Sequence, residues 1–444
     1  MKYLRFFLII FLVNISCLNV FGQEFTPPNW SYNKAIYEVN VRQYSKEGTF
    51  NAFEQRLHKL KELGADILWF MPINPIGVKN RKGTLGSYYS VMHYTEVNPE
   101  FGTLEDFKSL VKLIHKMGMY VIIDWVANHT AWDNPWITAH PDFYTKDSLG
   151  NIISPNKDWT DVADLNYDNR ELWNEMIKSM KFWVDEYNID GFRCDVAGMV
   201  PIEFWMKART ELQKTKNLFM LAESDSPSLH LAFDMTYDWG LYNILNGIAK
   251  GRKNAKNLVS HFNRDQQYYP PNAFRMEFTS NHDKDVEDGT MFERLGDGAE
   301  ACAVLTCLVP DMPLVYTGQE AGNTKSFAFF ERDPVEWKEN KMSGIYSKLF
   351  QFKKENEALL NGERGGEMIF LKSSDEENIF AFTRSSGKDK VLAIFNLSNQ
   401  PLDFELTGET LEGSYRNLFT GKLDTFSSQR TFKLAPWEYK VYTK

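Results

Sequence analysis

"IDGFRCDV", residues 189–196, reads as a short buried strand that carries Arg193 and Asp195 two positions apart. Residues two apart on a strand share a face, so both charges point the same way. Burying charge is costly unless it is paired, so this strand face marks a built polar site rather than ordinary core. The fold follows from what surrounds it.

Seven more apolar, β-rich runs share its length. "AIYEVNV" (35–41), "DILWFMPI" (66–73) and "YVIIDWV" (120–126) precede it. "LFMLAES" (218–224), "FDMTYDW" (233–239), "FRMEFTS" (274–280) and "MPLVYTG" (312–318) follow. Helix-like segments lie between them. "TLEDFKSLVKLIHKMG" (103–118) opens on a Thr103/Asp106 capping box and closes on a C-cap glycine, and "FNAFEQRLHKLKELG" (50–64) has the same shape. Eight β-then-α units predict an α/β fold, a closed (β/α)8 barrel with an outer ring of helices. The alternative, a doubly wound sheet, lacks a Gly-rich phosphate loop after its first strand.

Spacing refines the organisation. Glu223 follows Asp195 by 28 residues, one ordinary unit, whereas Asp195 follows Asp124 by 71. The surplus is rich in Asn, Asp, Pro and Trp, and predicts an inserted loop subdomain at 129–168. The barrel then occupies 23–128 and 169–358. Beyond it, "IFAFTRSS", "KVLAIFNLS" and "LDFELTG" alternate apolar and polar residues at close spacing, which predicts a C-terminal antiparallel β-sandwich at 359–444.

Composition narrows the partners. A net charge of -9 argues against nucleic acid, which requires a basic face. Aromatics at 15% fill a large core or stack on sugar rings. Lys2 and Arg5 before "FFLIIFLV" (6–13), with "NVFG" ahead of Gln23, read as a signal peptide over 1–22, too short to span a bilayer. Export to the periplasm or beyond is expected. Lipid anchoring through Cys17 is the lesser alternative, because Asn14 stands where a lipobox prefers Leu. Cys194, Cys302 and Cys307 have no framework or zinc spacing and are expected to be core thiols.

Chemistry in such barrels sits at the C-terminal ends of the strands. Polar residues collect there: Asp124 with Asn128 and His129, Arg193 with Asp195, Glu223, and then Asn281, His282 and Asp283. Three carboxylates around one pocket suit glycoside hydrolysis, one to attack or shield the anomeric carbon and one to protonate the leaving oxygen. Like charges raise the proton donor's pKa, and Arg193 is expected to hold Asp195 ionised. No nucleophile elbow, HExxH or Cys/His metal spacing competes.

The motifs "DWVANH" (124–129), "GFRCDV" (191–196), "AES" (222–224) and "FTSNHD" (278–283) resemble, in order and spacing, those of the α-amylase family, glycoside hydrolase family 13. "DLNYDN" (164–169) and "YTGQEAG" (316–322) are similar to further motifs of that family. The resemblance implies a barrel with an inserted domain B and a C-terminal β-sandwich. It implies Asp195 as nucleophile, Glu223 as general acid/base and Asp283 as the third carboxylate. Tyr89, His129 and His282 resemble residues that hold the sugar at the cleavage point, and Asp124, Arg193 and Asn281 complete the expected binding set. Asn128 and Asp164 match positions that hold a structural calcium in many members, with metal-free loop hydrogen bonds as the alternative. No cofactor is implied for the chemistry.

Two departures qualify the resemblance. Gly198 and Met199 stand where many members have Lys-His on the acceptor side, and Val196 is similar to members that cleave α-1,6 bonds. The expected function is a retaining α-glucan hydrolase acting on α-1,4 bonds in starch or malto-oligosaccharides. An exo-acting or α-1,6-acting glucosidase or a transglycosylase of the same family is the alternative. A binding-only barrel is disfavoured because all three carboxylates are present. Oligomeric state is left open.

Overall fold

The computed structural model describes residues 25–408 and 411–444. The expected signal peptide over 1–22, with Cys17, lies outside the described residues. Strands are numbered in chain order.

Eight strands form a closed parallel barrel: β1 (Ile36–Val39), β2 (Ile67–Phe70), β3 (Tyr120–Trp125), β6 (Gly191–Cys194), β7 (Phe219–Ala222), β8 (Met235–Tyr237), β9 (Phe274–Phe278) and β10 (Met312–Tyr316). Strands β4 (His129–Ala131) and β5 (Val162–Asp164) form a separate two-stranded ribbon. The strand alternation sorts the residues of each barrel strand. Ile36, Ile67, Ile122, Leu221 and Met276 fill the interior, whereas Val39, Phe70, Ile123 and Phe192 pack outward beneath the helices. At the upper ends the inward positions change character, with Glu38, Trp69, Asp124, Arg193 and Tyr237 forming a buried polar layer. Gly191 begins β6 where no side chain fits, since a Cβ there would meet the Phe219 carbonyl oxygen at 1.9 Å.

The helix Leu104–Lys116 starts on the predicted Thr103/Asp106 capping box. Gly118, at φ 74°, turns the chain into β3. The 50–64 segment differs from its expected single helix. It breaks into Phe50–Glu54 and Leu57–Leu63, with Arg56 outside helical geometry and its guanidinium over the Trp337 ring at 4.4 Å.

Between β3 and the helix Arg170–Tyr187, the β4–β5 ribbon and the short helix Trp136–Ala139 lean on the loop after β2, with Ser90 donating to the Asp161 carbonyl at 3.0 Å. After the barrel come β11 (Glu367–Phe370), β12 (Lys372–Ser373), β13 (Ile379–Ser386), β14 (Asp389–Asn396), β15 (Leu402–Thr407), β16 (Gly413–Asn417), β17 (Leu423–Phe426), β18 (Gln429–Leu434) and β19 (Tyr439–Thr443). They form an antiparallel six-stranded sheet, β11-β13-β14-β19-β16-β17, and a three-stranded sheet, β12-β15-β18. Ile379, Leu392 and Ile394 pack between the two sheets with Phe404 and Leu434, while Phe380, Phe382 and Ala393 on the opposite face join the barrel's outer core. Cys194, Cys302 and Cys307 are buried free thiols. Among the described residues no helix is long and apolar enough to cross a membrane.

Candidate active site

The charges in "GFRCDV" meet at the barrel mouth. Arg193 is fully buried, and its Nη1 donates to Asp124 Oδ1 and to Asp195 Oδ1, both at 2.9 Å. Its Nη2 lies 3.0 Å from Glu223 Oε1, an ion-pair distance that is off the N–H direction. Nε donates to the Tyr237 hydroxyl at 3.1 Å. One guanidinium thus gathers carboxylates from β3 and from the ends of β6 and β7.

Exposure separates their duties. The Asp124 side chain is 0% exposed, against 9% for Asp195, 14% for Glu223 and 32% for Asp283, so the last three face the mouth. Asp124 works inward. Its Oδ2 accepts from Trp69 Nε1 at 3.1 Å and from the Tyr89 hydroxyl at 3.2 Å, so it aims Arg193 and Tyr89 rather than meeting a ligand. Glu223 Oε2 accepts the Val196 amide at 2.7 Å. Val196 holds that amide in a left-handed conformation, φ 36°, ψ 45°, which a β-branched residue adopts only under strain.

Electrostatics correct one expectation. Burial and the Glu223 charge push Asp195 well above the ordinary carboxylate range, and Arg193 pulls it down by less. The guanidinium does not bring Asp195 below the ordinary carboxylate range, because its charge is divided among three carboxylates. Asp283 behaves oppositely: burial raises it, but the neighbouring His282 imidazolium outweighs burial and holds it down at about 2. Burial alone pushes His282 down, yet Asp283 and Glu38 outweigh it and lift the ring well above its ordinary 6.5. His129 has no such neighbours, and burial takes it down to about 4.

The other predicted residues fall around this core. Tyr89 lies nearly parallel to His282, at 5.3 Å between centroids and 23°. His129 packs by Trp159 at 5.4 Å. Asn281 is the N-cap of the helix His282–Glu287, its side-chain Oδ1 accepting the Lys284 amide at 2.8 Å while its buried Nδ2 has no partner. Asn128 and Asp164 come together through the β4–β5 ribbon, where His129 pairs with Asp164 and the Asn128 carbonyl accepts the Leu165 amide at 3.1 Å.

Calcium takes six to eight oxygens with several carboxylates among them. Asn128 and Asp164 match that poorly. Among the described residues no three acidic or histidine side chains gather around them, and neither leaves an orphaned buried polar atom. The ribbon closes the inserted loop on itself, and the Leu165 amide on the Asn128 carbonyl, the Ala131 amide on the Val91 carbonyl and the Ser90 hydroxyl on the Asp161 carbonyl tie it to the barrel and the loop after β2.

Sequence reasoning missed Glu38, Trp69 and Tyr237. Glu38 carried the same signal as Arg193, a charge at an inward position of an apolar run, "AIYEVNV". The backbone role of Val196 had no signal in its residue type.

Comparison with known proteins agrees with this geometry. The family model described as "Alpha amylase, catalytic domain" matches residues 31–161 and 155–390, and that of the "Maltogenic Amylase, C-terminal domain" matches 368–441. An α-amylase of Haloarcula japonica is 24% identical over 419 residues, covering 89% of this chain, which spans 60% of that relative's length. A maltogenic α-amylase from Thermotoga neapolitana superposes with a TM-score of 0.85 at 30% identity, covering 93% of this chain and 98% of the other. An α-amylase from Lactobacillus plantarum gives 0.84 at 31% identity, covering 93% and 99%. The match runs through the barrel, the inserted loop and the C-terminal sheets, so the chain belongs to the α-amylase family of glycoside hydrolases, glycoside hydrolase family 13.

Proposed function

We propose that the chain is an exported, retaining α-glucan hydrolase that cleaves α-1,4 bonds in starch or malto-oligosaccharides through a covalent glycosyl-enzyme. The observation that carries this reading is the set of three mouth-facing carboxylates, Asp195, Glu223 and Asp283, arranged around buried Arg193 and His282. Export rests on the charged-then-apolar N-terminal pattern.

The chemistry requires one proton between two carboxyls. Burial and the Glu223, Asp124 and Asp283 charges around it raise Asp195 above the ordinary carboxylate range, and such crowding of carboxylates favours one shared proton in the site. When a glycoside binds, its bridging oxygen offers that proton an acceptor beside Glu223. Positive charge developing at the anomeric carbon simultaneously favours ionised Asp195. Asp195 then forms the C1–O ester as the bridging C1–O bond breaks, and Glu223 protonates the departing oxygen. In the second half a water attacks C1, Glu223 takes its proton, and the ester bond to Asp195 breaks with net retention. Asp283, ionised at neutral pH, and Tyr89 are placed to hold the sugar's hydroxyls and face. These steps use the chain's own side chains and no cofactor.

A second reading, exo-action, α-1,6 cleavage or transfer to another sugar, is favoured by the acceptor side. Met199 is 53% exposed beside Gly198, where many members place two polar side chains, so water and sugar acceptors are less sharply distinguished.

Digestion of maltoheptaose and isomaltotriose, followed by proton NMR and chromatography, tests both. An α-configured first product and a ladder from maltoheptaose alone support the main reading, while a β-configured product sinks the double displacement. Asp195→Asn is expected to abolish turnover, since an amide cannot form the ester.

A further inference from the structure

Glu38 takes no part in the steps above, yet it is fully buried inside the barrel on β1. Its Oε1 lies 2.5 Å from His282 Nδ1, and its Oε2 has no hydrogen-bond partner. The other ring nitrogen, Nε2, lies 2.6 Å from the Tyr89 hydroxyl and 3.2 Å from Asp283 Oδ1. The Tyr89 hydroxyl proton has an acceptor of its own in Asp124 Oδ2 at 3.2 Å, and Asp283 Oδ1 beside Nε2 is an acceptor wherever that proton lies. His282 therefore faces acceptors at both nitrogens. A neutral imidazole carries one N–H and leaves one acceptor unmet, whereas the doubly protonated ring serves both sides.

We propose that Glu38 is a positioning residue for this site: from inside the barrel its carboxylate holds His282 as a two-donor ring, with Nε2–H aimed at Tyr89 and Asp283. The inference rests on the reading of the mouth as a glycoside-cleaving site. The groups around the ring and its partners come from several elements: Glu38 from β1, Tyr89 from the loop after β2, Asp124 from β3, Arg193 from β6 and adjacent Asp283, with Asp195 beyond Tyr89 and Glu223 beyond Asp124. Tyr237 and Tyr316, from β8 and β10, face Glu38. Two cations act on the ring's partners: Arg193, which is engaged by three carboxylates, and Lys284, which acts on Asp283. The elevated pKa of His282 and the depressed one of Asp283 agree with this arrangement.

The consequence is a pH limit independent of the general acid. Once His282 loses a proton as pH rises, either Glu38 or the Tyr89/Asp283 side loses its donor, and sugar binding weakens.

Glu38→Gln tests this, because glutamine keeps the shape and can still accept from Nδ1–H but lacks the charge. In the full chain labelled with 15N-histidine, and assigned with His282→Asn, NMR of the wild type should show His282 protonated at both nitrogens at about pH 8. In E38Q the ring should titrate at least about one pH unit lower. With α-glucosyl fluoride, whose leaving group needs no proton from Glu223, the alkaline limb of kcat/KM should move down with it. The expected loss is about tenfold above the limb, with little change near pH 6. A neutral His282 in wild type at that pH overturns the proposal whether or not E38Q folds. Superimposable His282 titrations and fluoride profiles, with an active wild type, overturn it alone. A wild type inert on the fluoride sinks the reading of the site and the positioning role with it.

Discussion

Replacing Arg193 with glutamine removes the guanidinium that touches Asp124 and Asp195 at 2.9 Å and Glu223 at 3.0 Å, all within a side-chain site at most 14% exposed. Removing one partner of a buried charge cluster costs about 3–5 kcal/mol, because the remaining charges stay buried without compensation. The loss depends on pH. Burial already raises the folded-state pKa values of Asp124 and Asp195. An acid whose folded-state value exceeds its unfolded one binds protons more tightly when folded, so its contribution to stability falls as pH rises between the two values. Without Arg193 both values climb further and this window widens upward. Wild type and R193Q should therefore melt close together near pH 4.5, where these carboxyls can be neutral, and diverge by about 3–5 kcal/mol by about pH 8. At roughly 2.1 cal/mol/K per residue, a cooperative chain of 444 residues shifts its Tm by about 1 °C per kcal/mol, so the expected gap at the alkaline end is about 3–5 °C. Thermal melts by circular dichroism across that range, paired with kcat/KM on a malto-oligosaccharide, measure both sides. A Tm difference that stays constant with pH, or an R193Q protein as stable as wild type at pH 8, would refute the argument that Arg193 offsets buried negative charge.

Other outcomes follow from the same geometry. Glu223→Gln should lose about 10²–10⁴-fold on natural glucans and far less on α-glucosyl fluoride; equal losses on both substrates in steady-state kinetics would remove Glu223 from proton donation. Chelation with EDTA should leave the Tm unchanged, because hydrogen bonds from Leu165 to Asn128, from Ala131 to Val91 and from Ser90 to Asp161 already tie the inserted loop down. A drop in Tm restored by added calcium would show that Asn128 and Asp164 share an ion after all.

Much of this protein is written locally. The Thr103/Asp106 capping box fixes a helix start within four residues, and the change from β/α units to short alternating strands near residue 360 marks the C-terminal sheets. The alternation within "GFRCDV" alone placed Arg193 and Asp195 on one side of a strand. The barrel and the four polar strand ends were legible for the same reason: periodicity and charge in an apolar run are properties of a few consecutive residues. The break at Arg56 was not: the local residue types suit a continuous helix, and the Trp337 ring that Arg56 covers is distant in the chain.

The tertiary structure decided which of those polar residues work together and in what state. Glu38 and His282 are 244 positions apart and meet only because closing the barrel brings β1 beside the strands that end the circle. That meeting lifts His282 above its ordinary range and holds Asp283 below its own, while burial alone lowers His129, equally visible in the sequence. Asp124, expected in the binding set by its strand end, turns inward to hold Arg193 and Tyr89. Val196 contributes through a backbone angle that no residue type announces. Strand pattern depends on neighbours in the chain, but charge state depends on burial and on every charge within a few ångströms, and those are set only when eight distant segments close around one mouth.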